Sequence, residues 1–387
     1  MTFSVNTRAL AGLPVFFDRR GTDLTDAIEF VTKNTVLSSF GLANVLGAHQ
    51  KIILEVTDYL GGLTFDYSDR DAARVRSAIA SYNASDERAS QRADAAITGL
   101  PPNLPNLPAL TAAERSYGPA IFDDRRAPTS ALITPGDPHA DYPYRPSWSD
   151  ALSPTSIARD AIWRVTSVLA NAGLIDRPID PLESLVKPFV GDWAGLLRSA
   201  DVFDCLGSML TMSGECVSDA GQLVPTVWTG NVADMCINNL QSFDGSLARG
   251  VTPLARLAAT YRRVSAGVRD NANLLETVIT NLIDLAADLV LDLATDFIFE
   301  LFEFGTQTRD FIRTLRAAMR LANSAIDVVN AWLSGVGDFK NQFGFLNSVG
   351  GLPSILFPIP AIPLVPSGAP SGPAPPVPSN SQARKHN

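Results

Sequence analysis

Apolar positions in the first part of the chain recur at helical spacing. Leu10, Leu13, Phe17, Leu24, Ile28 and Val31 lie three, four or seven residues apart, and Val45, Ile52, Val56, Tyr59 and Leu63 form a second such run. The stretch NTVLSSFG between them, from Asn34 to Gly41, supplies turn formers, so the two runs are expected to fold back as an antiparallel helical hairpin. The period then lapses from Gly99 to Ser147, where LPPNLPNLP and PGDPHADYPYRP crowd proline together. Proline removes backbone donors and clashes with the preceding helical turn, which predicts an extended linker.

From Trp148 to about Val336 the helical period returns. Trp193, Leu196, Ala200, Phe203, Leu206, Leu210, Val217 and Leu223 share one face of a run that starts at Asp192. After GQLVPTVWTG comes another, with Val232, Cys236, Leu240, Phe243 and Leu247. Asn231 is placed to cap this second run, and Asp234 falls in its first turn, facing the positive end of the helix dipole. Gly250 and Thr252-Pro253 predict a break, since glycine ends helices and a threonine–proline pair starts them. Leu254 to Phe304 reads as one rod of about 75 Å at ~1.5 Å per residue, which needs partners along its length. The expected fold is all-α: a hairpin in residues 1–98, a Pro-rich linker in 99–147, a long helical hairpin or bundle in 148–340, and a disordered Gly- and Pro-rich tail in 341–387.

Composition agrees with a globular chain: of 387 residues, 46% are hydrophobic and 18% charged, enough to bury real cores. The net charge of −9 disfavours sequence-independent binding to nucleic acid and to anionic membrane surfaces. Pro14 and Asp18 interrupt the N-terminal apolar run, so no Sec-type signal is expected. The longest uncharged stretch, Asn341 to Ala383, is studded with Gly and Pro, so no membrane span is expected there.

Candidate chemistry is sparse. Cys205, Cys216 and Cys236 lack metal-ligand spacing, and His49, His139 and His386 stand singly. Walker loop, dinucleotide fingerprint, nucleophile elbow and zinc signature are all missing, so no catalytic residue, metal or cofactor is expected. Cys216 and Cys236 flank the turn near Gln222 to Trp228 at similar distances, which makes them a candidate disulfide, with two buried free thiols as the alternative. Asp284, Asp288, Asp292, Asp296 and Glu300 recur every fourth residue and wind around a helix as a solvated stripe. The segment LVLDLATDFIFELFEF becomes apolar if its acids are protonated, which opens an alternative use of residues 274–304 at a membrane.

Trp228 and Gly230 sit in the polar interruption between the two long runs. An indole can fill the wedge where helix axes splay and place its N–H on a carbonyl at a helix end, while glycine supplies the dihedrals for re-entry. A second copy of the pattern, Trp193-Ala194-Gly195, begins a helix instead. A helix of about thirty residues, the turn Trp228-Thr229-Gly230 and another long helix resemble the WxG helical-hairpin proteins exported by type VII (Esx) secretion systems of actinobacteria. The similarity is most apparent from DPLESLVKPFVGDWAGLL to about Val290, and it looks like the export module at the N-terminus of larger secreted proteins, polymorphic toxins among them.

In TFDYSDRDAARVRSAI, Tyr67 and Asp71 make a Tyr-x-x-x-Asp that resembles the secretion signal of the same pathway, and residues 1–98 resemble its EspC-like substrates. The spacing puts both side chains on one helix face, although Asp71 is also an ordinary first-turn residue and Tyr67 a packing one. The resemblance implies recognition without catalysis: a secretion ATPase or chaperone contacting Tyr67 and Asp71, a small helical WxG-type partner or a second copy, and a secreted or cell-surface destination without a cleavable Sec signal. Two departures stand out. The long hairpin has Ser265 where an acid would follow Tyr261 by four residues, and Gly250 and Pro253 interrupt a helix that the family keeps continuous. The resemblance to toxin N-termini is not expected to carry toxicity with it, because the residues after Phe345 in this sequence are too few for a catalytic domain. The competing expectations are a membrane-active or toxin-accessory protein using residues 274–304, and a cytoplasmic helical scaffold.

Overall fold

The computed structural model of the protein describes residues 4–96, 118–138, 146–293 and 305–350, and these form an all-α fold. Strand β1 (Ser4–Val5) leads into a short α1 (Thr7–Leu10), capped by the Asn6 side chain, which accepts the Ala9 N–H at 3.1 Å. Helix α2 (Gly12–Asn34) then buries Leu13, Phe16, Phe17, Leu24 and Val31, and α3 (Ala43–Thr64) returns against it through the turn at Thr35 to Leu42. The expected N-terminal hairpin is therefore present. It is extended beyond expectation: α3 passes through a π-helical segment (Phe65–Asp71) into α4 (Ala72–Ala96).

The Pro-rich stretch is more than a spacer. Residues 118–138 form short 3₁₀ turns (Pro119–Phe122 and Pro128–Ala131) docked on α2 and the long helix α6 (Trp193–Val227). Phe122 is buried; its carbonyl accepts Arg19 Nη2 at 2.6 Å, and Asp124 takes Arg19 Nε and Arg20 Nη2 at 2.8 Å each. Proline excluded α-helix here, yet the few backbone donors left are compatible with a strap held by side chains. The remaining linker residues, 97–117 and 139–145, lie outside the described set.

A 3₁₀ turn (Ser147–Leu152), α5 (Ile157–Asn171) and turns at Leu182–Val186 and Lys187–Phe189 precede α6. Asp192 caps α6, its Oδ1 accepting the Gly195 N–H at 2.7 Å. Pro225 lies near the end of α6, where it removes the helical hydrogen bond to the Gly221 carbonyl, yet the helix runs on to Val227, held by buried Val224 and Val227. Strand β2 (Trp228–Thr229) pairs antiparallel with β1, Val5 opposite Trp228, and the Asn6 N–H reaches the Val227 carbonyl at 2.8 Å.

Helix α7 (Asn231–Leu293) is unbroken for 63 residues, which corrects two expectations. Its first turn includes Asp234, but the carbonyl of Gly230 accepts the Asp234 N–H, so Gly230 and not Asn231 occupies the cap position. Gly250 and Pro253 do not end the helix. A Cβ on Gly250 would lie 2.6 Å from Tyr59 Oη, so the glycine serves close approach of α3, and Tyr59 donates to the Ser246 carbonyl at 2.8 Å. Buried Leu254, Leu257, Ala258 and Tyr261 carry the helix past the lost proline donor.

The rod expected to reach Phe304 is described to Leu293, and α8 (Gln307–Gly350) folds back along it. Tyr261 meets Trp332 with ring centroids 5.5 Å apart, and Gly267 faces Val328, which fixes the antiparallel direction. The central part is thus a three-helix arrangement, and helix continues through residues 341–350, which were expected to begin the tail. Residues 351–387 lie outside the described set.

One hydrophobic core joins the N-terminal helices to the central ones, so the expected domain boundary at residue 98 is no boundary in the packing. Phe40 meets Trp193 edge to face at 5.0 Å, and Tyr67 stacks on Phe243 at 4.1 Å.

Candidate functional site

Tyr67 and Asp71 lie in the π segment, whose wider winding directs Asp66, Tyr67 and Asp71 inward together. The Tyr67 ring is sandwiched between Phe243 of α7, at an interplanar angle of 21°, and Phe17 of α2, at 6.1 Å. Burial pushes its phenol far above the usual range, and its Oη has no hydrogen-bond partner. The Asp71 carboxylate accepts Asn239 Nδ2 at 2.6 Å, with Arg70 Nε at 3.3 Å and Arg74 Nη1 at 3.6 Å. Burial raises its pKa, against the lowering effects of Asn239 and Arg70. The two residues share a face, as their spacing predicts, but that face is closed against α7 instead of being open to a partner.

Trp228 is buried at the hairpin tip, and the Tyr82 ring of α4 meets it edge to face at 6.1 Å. Its indole N–H does not reach a helix-end carbonyl; the nearby Val227 carbonyl is taken by Asn6 instead. Gly230 has φ +116°, the backbone freedom expected of it for re-entry into helix. An indole bonded to a helix-end carbonyl is found in the other copy of the pattern. Trp193 Nε1 donates to the Phe189 carbonyl at 3.1 Å, and Ser265 Oγ holds the Trp193 carbonyl at 2.9 Å. Ser265, which occupies the position of the missing acid, is thus a buried structural contact between α7 and the start of α6.

Of the two readings of the cysteines, the structure has the free thiols. All three are free, and Cys216 and Cys236 do not face each other. Pairs across the hairpin, Gly214 with Asp244 and Phe203 with Tyr261, centre it on Thr229 to Val232, later than the turn assumed from Pro225. Because α6 continues through that proline, each strand of the hairpin is shifted and the two thiols pass one another. Cys216 faces the strap, lining a cleft of 90 Å³ with Phe16, Phe122, Asp124 and Asp219, whereas Cys236 is wholly buried on the α4 side near Asp71. Such a cleft is well below the roughly 300 Å³ at which drug-sized ligands are held.

His49 is the functional-looking residue that its isolation in the sequence concealed. It is buried where α3, α7 and the end of α2 meet, with Nε2 2.7 Å from the Thr35 carbonyl and Nδ1 3.0 Å from Tyr261 Oη. A carbonyl only accepts, so Nε2 carries the hydrogen and Nδ1 accepts from the phenol. Burial lowers its pKa to about 4, although the Thr35 contact and the Asp192 charge act upward.

Among the described residues no group of acids, histidines and cysteines is placed to hold a metal ion, and no helix is long and apolar enough to cross a membrane. Asp284 and Asp288 are exposed, while Asp296, Glu300 and most of LVLDLATDFIFELFEF fall outside the described set, as do His139 and His386. Comparison with protein-family models, with curated proteins and with solved structures finds no match to this chain.

Proposed function

We propose that this protein is a non-enzymatic substrate or secretion-associated component of a type VII (Esx) export system, delivered outside the cell without a cleavable Sec signal. The observation that supports this reading best is the tip of the α6–α7 hairpin. There a buried Trp228 and a positive-φ Gly230 join two long antiparallel helices, the arrangement that the WxG resemblance implies. Recognition, by a secretion ATPase or a chaperone, would act on Tyr67 and Asp71 once α3 and the π segment have separated from α7, because both residues are covered in the folded chain. A second reading, a helical scaffold that stays in the cytoplasm, draws support from that same burial: both residues already have packing or hydrogen-bonding roles.

Secretion of an epitope-tagged chain in a host with an intact type VII system separates the readings. The variants to compare are Tyr67→Phe, which removes only an unpartnered hydroxyl, and Asp71→Asn, which keeps an acceptor for Asn239. Export of the wild type with retention of either variant at normal cellular levels supports a signal read at these atoms. Export of all three chains assigns recognition to the hairpin alone. Retention of the wild type, even with its neighbouring genes supplied, leaves the scaffold.

A further inference from the structure

The seam between the N-terminal helices and α7 is closed by a short series of contacts: Asp71 with Asn239, Tyr67 with Phe243, Tyr59 with the Ser246 carbonyl, and His49 with Tyr261. Only the last uses a group that ordinarily titrates near neutrality, and its geometry tolerates one protonation state. The neutral ring donates from Nε2 to Thr35 and accepts at Nδ1 from Tyr261, so every polar atom of the pair is used. A proton arriving from solvent on Nδ1 would point at Tyr261 Oη. The phenol would then have to turn its own hydrogen away from His49, and its ring neighbours Phe203 and Trp332, at 5.3 and 5.5 Å, offer no oxygen acceptor.

The charges around this node do not compensate for a buried imidazolium. Asp192, at the start of α6, faces His49 and its charge favours a protonated ring, but burial outweighs that effect, and the Asp192 carboxylate is held in place by the Gly195 N–H and by Ser38 N–H and Oγ. Arg198, also on α6, is a cation, and it is bound to the Val36 carbonyl beside Thr35. Helix α7 contributes Tyr261, the α2 end contributes the Thr35 carbonyl, and α8 reaches the node through Trp332. On α3 itself the flanking turns present Val45 and Ile52, both apolar.

We propose that His49 is an acid-sensitive latch: protonation of its ring releases α3 and the α2–α3 turn from α7 and from α8, which lies along α3, opening the N-terminal helices while α6 and α7 stay paired. The α6–α7 hairpin is held by contacts that do not involve His49, among them Trp193 with Ser265 and Arg262 with Asp201 and Asp204. Opening uncovers Tyr67 and Phe243, which makes the buried face available in acid and closed at neutral pH. The latch rests on the geometry at His49 and does not depend on any export route.

The linkage has a definite sign. His49 binds its proton less readily in the closed state, near pH 4, than in an open one, near pH 6.5. Its contribution to closure is therefore complete above pH 6.5 and is lost as pH falls through 4. Asp23, Asp66 and Asp71, whose carboxyls burial raises, act in the opposite direction, so removing the histidine isolates its part.

The test is hydrogen exchange of the full chain at pH 7.5 and 4.5, corrected for intrinsic exchange rates. Amides of residues 43–71 are expected to open more readily at the lower pH, on the order of a hundredfold, while those of α6 keep their protection. His49→Gln retains a donor for Thr35 and an acceptor for Tyr261 without titrating, so it should show no such gain. The proposal fails if the glutamine variant opens with the wild-type pH dependence, or if α6 loses protection together with α3. Should that variant not fold, Tyr261→Phe removes the hydrogen bond that favours the neutral ring, and the opening must move to higher pH. An unmoved midpoint overturns the latch.

Discussion

At the scale of the residue, burial changes what a side chain is for. Tyr67 has an aromatic surface wholly engaged with Phe243 and Phe17 and a hydroxyl with nothing to bond, so the two parts of the side chain should behave oppositely on mutation. Tyr67→Phe is expected to be neutral or to stabilise by up to about 1 kcal/mol, because it removes an unsatisfied buried hydroxyl. Tyr67→Ala leaves a cavity at the α3–α7 seam and should cost about 3–5 kcal/mol. Urea unfolding of both variants checks the pair, and a large loss in the phenylalanine variant would mean that the hydroxyl has a partner. The spacing of Tyr67 and Asp71 is legible in the sequence, but which way their shared face points is not. That direction depends on what α7 brings against it from some 170 residues further on.

At the scale of the element, chain-breaking residues were outvoted by packing. Gly250 and Pro253 look like an end and a start, and the helix passes through both, because apolar residues on either side are buried against α3, α6 and α8. Gly250 consequently carries a sign reversal. Alanine in place of glycine within a helix ordinarily stabilises by about 1 kcal/mol, yet here the methyl group would collide with Tyr59. Gly250→Ala is expected to lower stability by about 1–3 kcal/mol, with only part of the loss relieved in a Tyr59→Phe background because the ring carbons at 2.9 and 3.0 Å remain, as thermal unfolding of the single and double variants would show. Pro225 has the same lesson for hairpin register: extending α6 past it carries Cys216 and Cys236 out of reach of each other. Thiol titration of denatured protein kept without reductant should therefore find three free thiols, and a count of one would restore the bridge.

At the scale of the whole molecule, the regions that sequence composition separates are joined by one core. The strap with Phe122 and Asp124 and the seam with His49, Tyr59 and Tyr67 tie residues 4–96 to the central helices. Residues 1–96 and 118–350, produced as separate chains, should each expose apolar surface that binds a hydrophobic dye, and should recover a stable complex on mixing. Independent folding of the first fragment, with no affinity for the second, would contradict the shared core.

The helical class, the N-terminal hairpin, the Asp192 start of α6 and the dihedral role of Gly230 could all be read from the chain, since periodicity, caps and glycine act over a few residues. The path of α7 through Gly250 and Pro253, the return of α8, the hairpin register and the enclosure of Tyr67, Asp71 and His49 were decided by the tertiary structure. Each depends on side chains far apart in sequence, whose burial together outweighs the local preference of a proline, a glycine or a lone histidine.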